Sequence, residues 1–254
     1  MTDDQTKRPV RVARLLALSI LVLALFFIGF LVWVGQPAAA QEEALGALTT
    51  DETISVTTTP WLVFTPITPT ATTGFIFYPG GLVDPRAYAP AARAIAAEGY
   101  LVAIVPMPLN LAVFAPARAL DVMAAYPAIE QWAIGGHSLG GAMAANFVAN
   151  QRDGVKALIL WAAYPGADDS LARRDDLQVT SIYGTNDGLA TVAKIEEARP
   201  LLPPQSHFIA IEGGNHAQFG WYGAQRGDQP AAISQEAQTA QVITATLTAL
   251  AAIQ

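Results

Sequence analysis

The chain contains no cysteine. Disulfides, a thiol nucleophile and a thiolate metal site are therefore excluded. Charge is also scarce. Asp, Glu, Lys and Arg make up 14% of the 254 residues, and the acidic excess gives a net charge of −7. Beyond the extreme N-terminus there is no cluster of Lys or Arg, so no nucleic-acid partner is expected. Histidine occurs three times, as His137, His207 and His216, which leaves few candidates for a general base. There is no internal repeat and no extended low-complexity tract. What the chain has in abundance is apolar residues, 52% of the total. That composition belongs to globular or membrane-associated chains, not disordered ones. The length suits one sizeable α/β domain with a buried core, but not two domains plus a membrane segment.

One long hydrophobic run is present. Leu15 to Val34 carries no charge, and as a helix it would extend about 30 Å, the thickness of a bilayer's hydrocarbon core. Lys7, Arg8, Arg11 and Arg14 precede it, and the first charges after it are Glu42 and Glu43. The positive-inside rule then puts the N-terminus in the cytoplasm and the remainder across the membrane. Two fates fit. The run is either an uncleaved signal anchor or a signal peptide cleaved after Ala38-Ala39-Ala40. Its length favours the anchor, because signal-peptide cores run to only ~7–15 residues. The expected organisation is a basic cytoplasmic arm over 1–14, a transmembrane anchor over 15–34, a linker over 35–52 and a catalytic domain over 53–254. The domain is expected outside the cytoplasm, held at the cell membrane by a single pass or secreted after cleavage near Ala40.

From residue 53 the pattern alternates. Ile54–Val56 and Trp61–Phe64 read as short strands between proline-marked turns. Continuous apolar runs follow at Phe75–Tyr78, Leu101–Val105, Trp132–Ile134, Ala157–Trp161, Val179–Tyr183 and Phe208–Ile211. Helices are predicted between and after them over Arg86–Glu98, Ala115–Tyr126, Leu139–Asn150, Leu189–Arg199 and Ile233–Ile253. Uninterrupted apolar strands separated by helices indicate a mostly parallel, doubly wound sheet buried on both faces. The two early strands would add an antiparallel edge. The short stretch after Trp161 leaves no room for a large lid.

Gly136-His137-Ser138-Leu139-Gly140 follows an apolar strand and opens a helix. This G-x-S-x-G context holds a serine on a tight, strained turn with its hydroxyl exposed, at a helix N-terminus that favours developing negative charge. A serine nucleophile needs a base. His137 lies inside the turn and reads as structural, and His207 sits at a strand start. His216, in the glycine-rich loop after Phe208–Ile211, falls on the same sheet edge as Ser138. The carboxylate orienting it should leave a strand between the two. Asp187, after Val179–Tyr183, does so. Asp168 and Asp169 are the runners-up, and Asp175 and Asp176 read as a solvated run. Phe219, Trp221 and Tyr222 follow His216 and could wall a substrate pocket or simply pack the last helix. Met107, Leu109 and Phe114 are a second candidate wall.

On these residues the chain resembles the α/β-hydrolase superfamily, and within it the compact, lidless bacterial branch of dienelactone-hydrolase and esterase-like families. The resemblance runs over residues 60–254. It is carried by Gly136–Gly140, by Gly184-Thr185-Asn186-Asp187, by Gly213-Gly214-Asn215-His216 and by Tyr78-Pro79-Gly80-Gly81. The order Ser138, Asp187, His216 is the one this architecture uses. Many members carry a histidine where this chain has Pro79, but the loop contributes backbone amides. The resemblance implies an α/β-hydrolase fold and an oxyanion hole from the amides of Leu139 and Gly81, with Leu82 as the lesser donor and a substrate neighbour. It implies hydrolysis of an ester-like bond in a small molecule, with no cofactor and no metal. Thioester, lactone and amide substrates, acyl transfer to another acceptor, and a non-catalytic tethered binding role stay open, as does the oligomeric state.

Overall fold

The computed structural model describes residues 7–151 and 154–254. Of the basic arm expected over 1–14, residues 1–6 lie outside this range. The chain forms two units, 1–37 and 38–254. The first holds helix α1 (Lys7–Val34). Its segment Leu15–Val34 has a mean hydropathy of 3.0 over 20 residues. Among the described residues this is the one helix long and apolar enough to cross a membrane.

The second unit is built on a sheet. Among the described residues its strands are β1 (Ile54–Thr57), β2 (Leu62–Pro66), β3 (Thr73–Tyr78), β4 (Leu101–Ile104), β5 (Gln131–His137), β6 (Ala157–Trp161), β7 (Gln178–Gly184) and β8 (His207–Ile211). They lie in the order β1-β2-β4-β3-β5-β6-β7-β8. The pairs β1–β2 and β2–β4 are antiparallel, and every other pair is parallel. The expected mixed sheet with an antiparallel N-terminal edge is thus present. Strand order reverses where β3 lies between β4 and β5. In open α/β sheets the crevice at such a switch point is where ligands bind.

Helices α2 (Glu42–Gly46), α3 (Ala89–Ala97), α4 (Ala119–Ala125), α5 (Leu139–Asn150), α6 (Val192–Ala198) and α7 (Gln235–Ala251) complete the unit. Alternate residues of β3 separate into two cores. Phe75 and Phe77 join Trp161, Ile95 of α3 and Val242 of α7, whereas Ile76 and Tyr78 join Val122 of α4 and Ala144 and Val148 of α5. The period of two along a strand and helices on both faces produce this division. In the first core Phe77 packs against Trp161 with ring centroids 4.6 Å apart, and the indole N–H of Trp161 donates to Thr246 Oγ1 at 3.1 Å. Burying such a ring contributes about 1.5–3 kcal/mol.

Several expected boundaries move, each for a local reason. The helix expected over Arg86–Glu98 opens as a 3₁₀ turn at Pro85–Tyr88, capped by Asp84, before α3 begins. The helix expected from Ala115 likewise begins as a 3₁₀ turn at Pro116–Arg118. The helix expected from Leu189 starts at Val192, where Thr191 caps the Lys194 amide. Residues 35–52, expected as a linker, do not behave as one beyond Pro37. The Ala38 amide donates to the Leu82 carbonyl at 2.8 Å, the Ala38 carbonyl accepts from the Asp84 amide at 2.9 Å, and Ala44 of α2 is fully buried. A small-residue stretch leaves little side chain to keep it off the domain, and its backbone is taken up as a strap.

Candidate active site

The parallel strands bring four loops to one sheet edge. Tyr78 pairs with Gly136 and Gly184 with Ile211, so the loops after β3, β5, β7 and β8 leave the sheet side by side. Ser138 stands at the end of β5 with φ 52° and ψ −122°. A side-chain-bearing residue at positive φ is strained, and such strain gathers at functional sites. The turn is tight enough to require glycine on both sides. A Cβ on Gly136 would lie 2.4 Å from the Tyr78 carbonyl oxygen, and one on Gly140 would lie 2.1 Å from it. Ala162, which follows β6, also has a positive φ of 46°.

His216 Nδ1 is 2.7 Å from Asp187 Oδ2, and both side chains are buried. The other carboxylate oxygen, Oδ1, accepts the amides of Leu189 and Ala190, each at 2.7 Å. Both oxygens of Asp187 are thereby engaged. A carboxylate at Nδ1 calls for a proton on that nitrogen, which leaves Nε2 with the lone pair. His216 Nε2 is buried and has no hydrogen-bond partner among the described residues. Ser138 and His216 line one cavity of 290 Å³, together with Leu139, Ala142, Ala162, Ala163, Tyr164, Leu189 and Ala190.

Around the loop after β3, three successive amides have different fates. Gly80 donates to the Tyr88 hydroxyl at 3.0 Å, and Leu82 donates to the Asn110 carbonyl at 2.8 Å. The Gly81 amide between them has no acceptor among the described residues. The Leu139 amide, in the first turn of α5, has no intrahelical acceptor to meet. Leu82 was the lesser expected donor, and its bond to Asn110 occupies it.

His137 does not line the cavity. Its Nδ1 is 2.9 Å from the Tyr88 hydroxyl, and its ring lies 4.5 Å from that of His216. Burial pushes its imidazole well below the ordinary value, and the neighbouring His216 adds to this. The structural role expected of it fits. Burial also pushes the Tyr88 hydroxyl up, so it stays a neutral phenol. His207 is exposed at the start of β8.

The expected walls are not the ones present. Phe219 is buried and stacks on His137, with centroids 5.7 Å apart and planes at 13°. Tyr222 is buried beside the same ring. Trp221 gives its amide to the Ala87 carbonyl and accepts from the Gln41 amide. Leu82, Phe219 and Trp221, expected to touch substrate, are therefore all outside the cavity lining. Proximity to His216 in sequence misled, because the turn after it packs the rings of Phe219 and Tyr222 on His137 and ties Trp221 to the 3₁₀ turn at Pro85–Tyr88. Leu109 and Phe114 are exposed and Met107 is buried, and none lines the cavity. Besides Ser138 and His216, the residues that do line it come from the first turns of α5 and from the chain after β6 and after Asp187. Their signal in the sequence was position alone, at the C-terminal ends of parallel strands. Of the runner-up acids, Asp169 is bonded to Asn146. Among the described residues no group of His, Asp and Glu is arranged to hold a metal ion.

A sequence profile of the alpha/beta hydrolase family matches residues 74–240. The chain belongs to this family. Solved structures agree on the fold of this alpha/beta hydrolase. A dienelactone hydrolase from Anabaena variabilis is 15% identical with a TM-score of 0.55, the match covering 81% of this chain and 99% of that one. A ferulic acid esterase from Streptomyces cinnamoneus is 16% identical with a TM-score of 0.57, covering 73% and 68%. A predicted CIB-like hydrolase from Thermoplasma acidophilum is 14% identical with a TM-score of 0.55, covering 77% and 98%. A comparison with curated proteins finds no match.

Proposed function

We propose that the protein is a serine hydrolase that cleaves an ester-like bond through Ser138, His216 and Asp187. The observation that carries this reading is the state of His216. Its Nδ1 is held by Asp187, its buried Nε2 has no partner among the described residues, and its side chain lines the same cavity as the strained Ser138. In the reaction His216 Nε2 takes the Ser138 proton as the hydroxyl oxygen attacks the substrate carbonyl. Asp187 keeps the imidazole in the right tautomer and stabilises its charged form. The amides of Leu139 and Gly81 receive the oxyanion, a contribution of about 10²–10³ in rate for one donor. The imidazolium then protonates the leaving alcohol. His216 next deprotonates a water that attacks the acyl-enzyme, and Ser138 regains its proton as the acid leaves.

The cavity supports a compact, uncharged acyl group. Its lining is mainly alanine and leucine and carries no ionised side chain other than His216 when protonated. The esterase and dienelactone hydrolase among the structural relatives fit the same reaction class. The apolar segment Leu15–Val34 and the basic residues before it support a single-pass anchor with this domain on the extracytoplasmic side. A full-length chain recovered in the soluble cytosolic fraction would refute that placement.

A fluorophosphonate probe tests the chemistry directly. It should label the natural chain at Ser138 and leave Ser138→Ala unlabelled. Labelling that persists in Ser138→Ala, or no labelling of folded natural protein, overturns the assignment. A p-nitrophenyl ester series then reads the acyl size, with short neutral acyl groups expected to be preferred.

A further inference from the structure

A strap of residues 227–230 crosses the two loops that carry Asp187 and His216. Asp228 is its centre. One carboxylate oxygen, Oδ1, accepts the amide of Gly188 at 2.9 Å and that of Gln229 at 2.8 Å. The other, Oδ2, accepts the amide of Ala217 at 2.9 Å. Gly188 directly follows Asp187, and Ala217 directly follows His216. A single side chain thus ties together the residue after the acid and the residue after the base.

Other contacts press the same strap onto both loops. Asn215, just before His216, donates its side-chain amide to the Gln229 carbonyl at 2.7 Å. Asn186, just before Asp187, donates to the Pro230 carbonyl at 3.2 Å. The fit at Gly188 is close. A Cβ there would lie 2.6 Å from the Gly227 carbonyl oxygen and 3.0 Å from Asp228 Cα. Gly227 itself takes φ +90°, a conformation open to glycine, which turns the chain so that Asp228 faces the loops.

We propose that Asp228 is a positioning residue that fixes the separation and orientation of Asp187 and His216. The proposal rests on the reading of these two side chains as acid and base. The physical case is one of geometry. The Asp187 and His216 loops leave neighbouring strands, β7 and β8, and the sheet holds them only up to Gly184 and Ile211. Beyond those points their spacing depends on cross-loop bonds. A carboxylate suits the task because it presents acceptors on both sides to amides that can only donate. An asparagine cannot replace it. Its oxygen can serve Gly188 and Gln229, but its NH₂ then meets the Ala217 N–H donor to donor.

The test compares Asp228→Asn, Asp228→Ala and Gly188→Ala with the natural chain, and uses Asp175→Asn, an exposed carboxylate outside the strap, as the charge-loss control. Ester hydrolysis should show a loss confined to kcat. About 10²-fold is expected for Asp228→Ala, the scale of a displacement of about 1 Å. About 10-fold is expected for Asp228→Asn, which keeps one side of the clamp. KM should stay within about threefold, because the cavity walls are untouched. A second readout needs no substrate. The hydrogen-bonded Nδ1 proton of His216 should give a downfield ¹H NMR signal in the natural chain that is weakened in Asp228→Asn and absent in Asp228→Ala. Gly188→Ala, which displaces the strap and keeps Asp228, should weaken it too.

Natural kcat and an intact imidazole signal in folded Asp228→Asn overturn the positioning role. So does a fall in kcat matched by Asp175→Asn. If Asp228→Ala does not fold, the isosteric Asp228→Asn decides alone. Absence of hydrolysis in the natural chain refutes the proposed function instead, and the NMR signal still reads the clamp.

Discussion

Asp187→Asn separates chemistry from folding. The change keeps size and shape. Oδ1 of Asp187 accepts the amides of both Leu189 and Ala190 at 2.7 Å. An asparagine must therefore place its oxygen there and turn its NH₂ toward His216 Nδ1. Nδ1 then becomes an acceptor, and the imidazole proton moves to Nε2. Under the proposed function that is the wrong tautomer, because Nε2 is the atom that takes the Ser138 proton. Both polar atoms of the new side-chain amide keep a partner, so the fold should hold and the thermal midpoint should move little. The cost falls on the transition state, where the charged imidazolium loses its carboxylate. A tautomer error of this kind costs about 10⁴ in kcat, or about 5.5 kcal/mol. KM should change little, since the ground-state contacts are the same. The assay is steady-state hydrolysis of a short p-nitrophenyl ester by purified protein, with the thermal midpoint measured alongside. A folded Asp187→Asn variant with kcat within about tenfold of the natural chain would refute the role given to the Asp187–His216 pair.

Two further predictions concern stability. Burial keeps the folded-state pKa of His137 below the ordinary 6.5, while the unfolded chain takes up the proton near that value. Stability from this group is therefore complete above about pH 6.5 and is lost as pH falls toward the folded-state value, at about 1.4 kcal/mol per unit. Thermal melts between pH 7 and 5 should show a steeper decline for the natural chain than for His137→Asn, and equal slopes would refute this. Separately, a chain beginning at Gln41, as cleavage after Ala40 would leave, lacks the two backbone hydrogen bonds of Ala38 to the Leu82–Asp84 segment. At about 1 kcal/mol per bond it should melt about 4–8 °C below one beginning at Pro37. Identical midpoints would show that the strap at Ala38 carries no stability.

The sheet and its direction were legible because each buried parallel strand is a short apolar run with a turn signal after it. Such a run reports burial on both faces without reference to any distant residue. Helix starts were less legible. Pro85, Pro116 and Thr191 reset them by about one turn, through local capping and 3₁₀ geometry that hydrophobic spacing does not encode. The chain between Pro37 and Ile54 read as a linker because its backbone bonds go to segments dozens of residues away.

The candidate site divides in the same way. Ser138 could be proposed from sequence because Gly136 and Gly140 flank it within one pentapeptide, although the carbonyl that their Cβ atoms would strike belongs to distant Tyr78. Asp187 and His216 could be proposed beside it because they follow strands whose C-terminal ends share an edge. Which amide of the Gly80–Leu82 loop is free could not be read, since it depends on Tyr88 and Asn110 claiming its neighbours. The cavity lining escaped for a related reason. Phe219 and Trp221 are close to His216 along the chain, yet the turn between them packs one on His137 and leads the other to Ala87, while Ala142 comes from α5 and Ala163 and Ala190 from two separate loops. By itself the sequence determined the sheet edge and the strand ends from which the three side chains proposed for chemistry project, because local pattern sets strand ends. Only the tertiary structure decided what surrounds them, and how Asp228 holds two of them together, because those contacts join residues that only folding brings near.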